Sequence, residues 1–184
     1  SDGDAPARSR RRVAPLVVGG IAVVMVALFW VLLGADPNET ESAETPLIGR
    51  VAPAATGELA DGTPFDLSRR KGSWVVLNFF THNCVPCVRE HPELIEFVDQ
   101  FFSNDTATTE IYTIVRDSNR DEVEAFFTER GGDWPIVYDP RYEFANDFGV
   151  ALVPATWIID DNGVVRGRLI SEVTAESLGS LIQQ

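Results

Sequence analysis

With two cysteines and two histidines in 184 residues, this chain has little from which to build a metal centre or a disulfide framework. All four lie within residues 82–91, as His82, Cys84, Cys87 and His91. Structural zinc sites draw their ligand pairs from separate segments, whereas these four would crowd the start of one helix, so no metal is expected. Basic residues are scarce as well. Lys and Arg number 15 against 28 Asp and Glu, for a formal net charge of −13, and no basic patch with interleaved aromatics occurs. Such a chain repels nucleic acid. No internal repeat is present, and nothing in the residue pattern asks for a cofactor.

Charge is missing altogether from Val13 to Leu33. Roughly 20 consecutive apolar residues span a bilayer, and this run has that length. Arg8, Arg10, Arg11 and Arg12 precede it, while Asp36, Glu39, Glu41 and Glu44 follow it. That asymmetry predicts a cytoplasmic N-terminus and an exported C-terminal domain. The alternative is a cleaved signal peptide, but its apolar core is about 7–15 residues, and Leu33-Gly34-Ala35 is a weak cleavage site. The expected organisation is a cytoplasmic tail (1–12), a transmembrane anchor (13–34), a flexible acidic linker (35–46) and one folded domain (47–184).

Within that domain, Ala55 to Glu58 and Thr63 to Asp66 flank the turn dipeptide Asp61-Gly62 and predict a β-hairpin. A short helical turn at Leu67 to Gly72 follows, with Arg69, Arg70 and Lys71 as a solvated face. Strands are expected at Trp74 to Phe80, Glu110 to Val115, Ile136 to Tyr138, Ala155 to Ile159 and Val164 to Leu169. Helices are expected after Cys84, at Asp121 to Arg130, at Tyr142 to Phe148 and from Ala175 to about Gln183. This alternation of strand and helix points to an α/β sheet.

The chemistry is concentrated in Phe79 to Pro92, FFTHNCVPCVREHP. The apolar strand WVVLNFF runs into Cys84-Val85-Pro86-Cys87, and a stripe of Val88, His91, Ile95, Val98 and Phe102 predicts an amphipathic helix beyond it. Cys84 then sits at the helix head, where unpaired N–H groups and the helix dipole favour a thiolate. Cysteines in such CxxC sites have pKa values from about 3.5 to about 7, against about 8.5 for the free residue. Cys84 is therefore the expected nucleophile. Cys87, one turn on, is placed to resolve a mixed disulfide. Pro86 suits an early helical position, where its missing N–H costs nothing. A loop this short stabilises little by closure, so a redox role is favoured over a structural bridge.

The segment NFFTHNCVPCVREHPEL resembles the active-site segment of membrane-anchored thioredoxin-like proteins of the TlpA, ResA and CcmG type. Glu90 and Pro92 match the glutamate and proline that follow the second cysteine there. Gly149-Val150-Ala151-Leu152-Val153-Pro154, ahead of the apolar strand Ala155 to Ile159, matches the later family segment, so the resemblance runs from about Leu47 to the C-terminus. It implies a thioredoxin-like fold, a central mixed sheet flanked by helices with an N-terminal β-hairpin. It also implies a thiol-disulfide oxidoreductase on the outer face of a bacterial cell membrane, single-pass, with a cis Val153-Pro154 bond that leaves the Val153 backbone to pair with substrate. Partners would be exported proteins carrying thiols or disulfides, such as apocytochrome c, with electrons from a membrane thiol transporter. Glu90 would be a proton acceptor for Cys87; read without the resemblance, it is a solvated carboxylate. The sequence departs from the family at Asn83, where tryptophan is usual, and at Val88, where a basic residue is usual. The threonine-rich stretch Asp105 to Glu110 also fits poorly, and no function attaches to it.

Two other readings use the same residues. Thr81-His82-Asn83-Cys84 supplies the T-x-x-C half of a peroxiredoxin-like thiol peroxidase site, although Leu77 stands where that site has proline. A tethered, non-catalytic binding module would keep Cys84 and Cys87 as a static disulfide. His91 lies on the apolar stripe and reads as a packed core histidine. Asn78 occupies the strand position where thioredoxin carries a buried acid, so any proton shuttle must lie elsewhere.

Overall fold

The computed structural model describes residues 14–33, 45–101, 109–116 and 119–183. The arginine-rich tail, most of the acidic linker, Phe102 and residues 105–108 of the threonine-rich stretch lie outside the described residues. The chain forms two compact units, Ser1–Glu39 and Thr40–Gln184. In the first, α1 (Ala14–Leu33) is a helix of 20 residues. Its apolar side chains Val17, Ile21, Val24, Leu28 and Trp30 are all exposed. Among the described residues no helix is long and apolar enough to cross a membrane; the described side chains of α1 are those of residues 17–30.

The second unit is built on a sheet of seven strands: β1 (Thr56–Leu59), β2 (Pro64–Asp66), β3 (Trp74–Phe80), β4 (Thr109–Val115), β5 (Ile136–Tyr138), β6 (Ala155–Ile159) and β7 (Val165–Ile170). Their order is β2-β1-β5-β4-β3-β6-β7. Strands β3, β4 and β5 are parallel neighbours, and the other pairings are antiparallel. The sheet is thus mixed, with the expected hairpin at one edge. Among the described residues the unit also holds a 3-10 helix (Leu67–Arg70) and four α-helices: α2 (Val85–Phe101), α3 (Arg120–Arg130), α4 (Glu143–Asp147) and α5 (Ala175–Ile182).

The period-2 alternation of a strand divides β3 between two cores. Val75, Leu77 and Phe79 face one core, with Phe65 of the hairpin and Phe144 and Phe148 around α4. Val76 and Phe80 face the other side, where α2, α3 and α5 pack. Gly179 permits the closest approach there: a Cβ at that position would come within 2.2 Å of the Phe101 ring.

Two expectations need correcting. The buried side of α2 is Cys87, Glu90, His91, Leu94 and Phe97, rather than the stripe through Val88, His91, Ile95 and Val98. Hydropathy misplaced it because a charged residue, Glu90, sits at its centre, while Val88, Ile95 and Val98 are half-buried at its margins. Arg70 also leaves the expected solvated face. Its guanidinium lies 5.5 Å from the Phe65 ring centroid and 5.7 Å from that of Tyr112, covering the end of the aromatic core with its charge over the ring faces.

Candidate active site at the head of helix α2

The strand β3 ends at Phe80, and three residues carry the chain to Cys84, immediately before the first residue of α2. Cys84 and Cys87 are joined in a disulfide with Cα atoms 5.2 Å apart. The two sulfurs are not equivalent. Cys84 is half-buried and borders an open groove, whereas Cys87 is 1% exposed. The N–H of Cys87 donates to Sγ of Cys84 at 3.2 Å, and the N–H of Val88 donates to the Cys84 carbonyl. The first of these is a helix-end donor, otherwise without an intrahelical partner, aimed at the sulfur. Pro86 is the second residue of α2, where its missing N–H leaves no gap in the helical ladder.

The Val153-Pro154 bond is cis. Val153 lines the same groove as Cys84, so the two candidate segments meet, although they lie 69 positions apart in the sequence. Among the described residues no hydrogen bond engages the backbone of Val153.

Glu90 is buried, which removes its reading as a solvated carboxylate. Its Oε1 accepts from Nδ2 of Asn78 at 2.8 Å, and its Oε2 accepts from the N–H of Val173 at 3.1 Å. Desolvation pushes its carboxyl up to about 8, only partly offset by those two donors, with the nearby Glu172 charge adding to the rise. Near neutral pH Glu90 is therefore mostly protonated. Asn78, which cannot titrate, is the strand partner of a helix acid. The strand position of Asn78 marked it as buried, but nothing in the sequence shows the burial of Glu90 or its pairing with Asn78. Asn78 also donates to Oγ1 of Thr156 at 3.2 Å.

His91 is a packed histidine. Its Nε2 lies 2.9 Å from the carbonyl oxygen of Gly131, and its ring meets Phe126, Phe127 and Trp134. Burial lowers its pKa, which favours the neutral ring with Nε2–H donating. Among the described residues no cluster of His, Cys, Asp and Glu could hold a metal ion. The Thr81 hydroxyl donates to Oδ1 of Asn83. Val88 packs at the edge of the core around Phe80 and Cys87.

The groove beside Cys84 brings in residues that the sequence reading missed. Arg116 at the end of β4, Tyr142 before α4, and Leu152 line it together with Val153. The proximity of Leu152 to the Val153-Pro154 segment was the only signal available for any of them.

The redoxin family matches residues 48–178 of this chain, most of its length. The chain belongs to the redoxin family. It is 31% identical over 144 residues to a thiol:disulfide interchange protein DsbE homolog of Paracoccus denitrificans, covering 76% of this chain and 73% of that one. It is 28% identical over 137 residues to the thiol-disulfide oxidoreductase ResA of Bacillus thuringiensis, covering 74% and 78%. Its fold is that of a secreted thiol-disulfide isomerase from Corynebacterium glutamicum, at a TM-score of 0.66 and 24% identity over 79% of this chain and 92% of that structure. With its CxxC pair, the chain is a thiol-disulfide oxidoreductase of the ResA and DsbE type, on a thioredoxin-like fold.

Proposed function

We propose that this redoxin works outside the cytoplasm, tethered to the membrane by its N-terminal apolar segment, and exchanges disulfides with exported proteins, among them substrates of cytochrome c maturation. The observation that carries the redox part is the asymmetry of the pair, one sulfur on a groove and the other buried behind it. The tether rests on the sequence, on the uncharged run from Val13 to Leu33 with arginines on one side and acids on the other. An electron-donating or electron-accepting membrane thiol transporter completes the cycle.

In the oxidised protein a substrate thiolate attacks Sγ of Cys84, the exposed sulfur. The Cys84–Cys87 bond breaks, its electron pair goes to Cys87, and a mixed disulfide joins the substrate to Cys84. Cys87 leaves as a thiolate in a buried site that disfavours charge, and Glu90, protonated near neutral pH and one helical turn along the same buried face, supplies its proton. A second substrate thiolate then attacks the mixed disulfide and releases oxidised substrate. Run in reverse, the Cys84 thiolate is stabilised by the Cys87 N–H, and Glu90 takes the proton of Cys87 as it attacks. The Val153 backbone, beside Cys84 and next to the cis bond, pairs with an extended segment of the substrate.

Trapping tests this reading. Cys87→Ala in the native membrane should accumulate a covalent adduct between Cys84 and an exported partner, released by reductant and absent in Cys84→Ala. If Cys87→Ala instead traps nothing and consumes peroxide rapidly with an external thiol, peroxidase chemistry takes its place. Absence of both activities would identify a static disulfide.

A further inference from the structure

Arg116 lines the groove beside Cys84. Its Nη1 donates to the carbonyls of Val150 and Ala151, each at 3.3 Å. Its guanidinium also lies 5.1 Å from the ring centroid of Tyr142. One side chain thus joins the loop that leads to Val153-Pro154 to an aromatic residue from the α4 side. Tyr142 is held with φ of 59°, in the left-handed region, which is uncommon for a bulky residue and marks a place where surrounding structure imposes the conformation. Its backbone N–H donates to the carbonyl of Asp139, and Asp139 in turn accepts from the N–H groups of Phe144 and Ala145 at the start of α4. Despite this bracing Tyr142 remains 43% exposed, and Leu152, which lines the same groove, is 79% exposed.

We infer that Tyr142 and Leu152, held in register by Arg116, are the specificity-determining walls of the substrate groove, and that they select extended segments with an apolar side chain beside the reacting cysteine. This rests on the oxidoreductase reading, because it assigns the surface that borders Cys84. The occupant follows from continuity and charge. Any substrate sulfur that reaches Cys84 brings its neighbouring residues against this wall. Burying an apolar neighbour between a tyrosine ring and a leucine is favourable, whereas a lysine there meets the guanidinium of Arg116. The chain's overall negative charge would draw basic partners from a distance, but a Debye length of about 8 Å at physiological salt leaves selection at the sulfur to the groove.

Reduced peptides Gly-Xaa-Cys-Xaa-Gly, with Xaa as Leu, Phe, Ser or Lys, would be reacted with the oxidised full-length protein at physiological ionic strength. Each rate is divided by that peptide's rate with oxidised glutathione, which removes differences in thiol reactivity. The Leu and Phe peptides should exceed the Lys peptide by about tenfold, equivalent to about 1.4 kcal/mol. That ratio should fall towards two in Leu152→Ser. It should fall likewise in Arg116→Lys, which keeps the charge but loses the planar guanidinium that meets the Tyr142 ring and the Val150 and Ala151 carbonyls together. Equal rates for all peptides would overturn this inference and leave the oxidoreductase reading intact. A tenfold preference retained in both variants would overturn the assignment of the walls. No exchange with any peptide would bring down the functional reading, and the inference with it.

Discussion

On one side of strands β3, β4 and β6 the interior is hydrocarbon and aromatic; on the other, a polar row crosses all three strands. Leu77 pairs in register with Tyr112 and Trp157, and Phe79 with Ile114 and Ala155, and these residues share the core beneath the hairpin and α4. Between those rows, Asn78 is in register with Thr113 and Thr156, and all three point towards α2. There Thr113 accepts from the indole N–H of Trp134 at 2.8 Å, while Asn78 meets Thr156 and Glu90. Both faces bury apolar side chains, and the first serves cohesion alone. The other gives up apolar burial to hold a carboxyl behind the cysteine pair, and burying such a group costs stability unless its partners satisfy it. If that division is real, substitutions on the two faces should have different signatures.

The largest effect is expected on the apolar face. Phe65 is buried against Tyr112, with ring centroids 4.6 Å apart, and against Phe144 at 6.1 Å. Phe65→Ala should cost about 3–5 kcal/mol by removing transfer energy and leaving a cavity, a large part of a typical domain's stability. Its loss, read by chemical denaturation, should be nearly independent of pH, and the folded fraction should keep its Cys84 chemistry. A pH-dependent loss would break the comparison.

The contrast also explains what could be read from the sequence. The fold was legible almost element by element, because alternation in Val75 to Phe80 and turn residues such as Asp61-Gly62 act locally. The pair Cys84 and Cys87 and the cis Val153-Pro154 bond were legible from a motif and its resemblance. Burial of Glu90 was not, because a carboxylate on a helix reads as solvent-facing until Asn78, 12 residues earlier, and Val173, 83 residues later, are brought to it. The same substitution of polar for apolar displaced the α2 stripe by one residue. Arg116, Tyr142 and Leu152 come from three segments that only the fold unites.

The next effect belongs to Glu90. Its carboxyl titrates at about 8 in the folded protein, against 4.5 as the ordinary value. Between these pH values the folded state keeps a proton that the unfolded chain releases, so stability falls as pH rises through this window and levels off above about 8. The full span is several kcal/mol. Glu90→Gln keeps a neutral group of similar shape and should lose this contribution. The stability difference between variant and wild type should therefore grow in favour of the variant from about pH 5 to pH 8. Exchange should slow by about 10²-fold or more, the range for loss of a general acid-base group, while iodoacetamide still reacts with reduced Cys84. A stability difference that is flat with pH would show that Glu90 is not a buried titrating group.

The smallest effect is expected at Asn78, and it tests whether the polar row acts on Glu90 or merely tolerates it. Its amide donates to Glu90 and Thr156, but its own Oδ1 is buried and has no partner among the described residues. Asn78→Ala removes two bonds and one unsatisfied acceptor together, so the net cost should be about 1–2 kcal/mol near pH 6, less than two lost bonds with their partners left unsatisfied would suggest. The more telling readout is the direction of the titration. The Asn78 amide stabilises the charged form of Glu90 and holds its pKa down against desolvation. Without it the pH at which stability levels off should move upward from about 8, and the pH optimum of exchange should move with it. In the double variant Asn78→Ala with Glu90→Gln, both shifts should vanish, because the amide would have no titrating partner left to bias. A shift that persists in the double variant would assign the pH response to another group and detach the polar row from the chemistry of the cysteines.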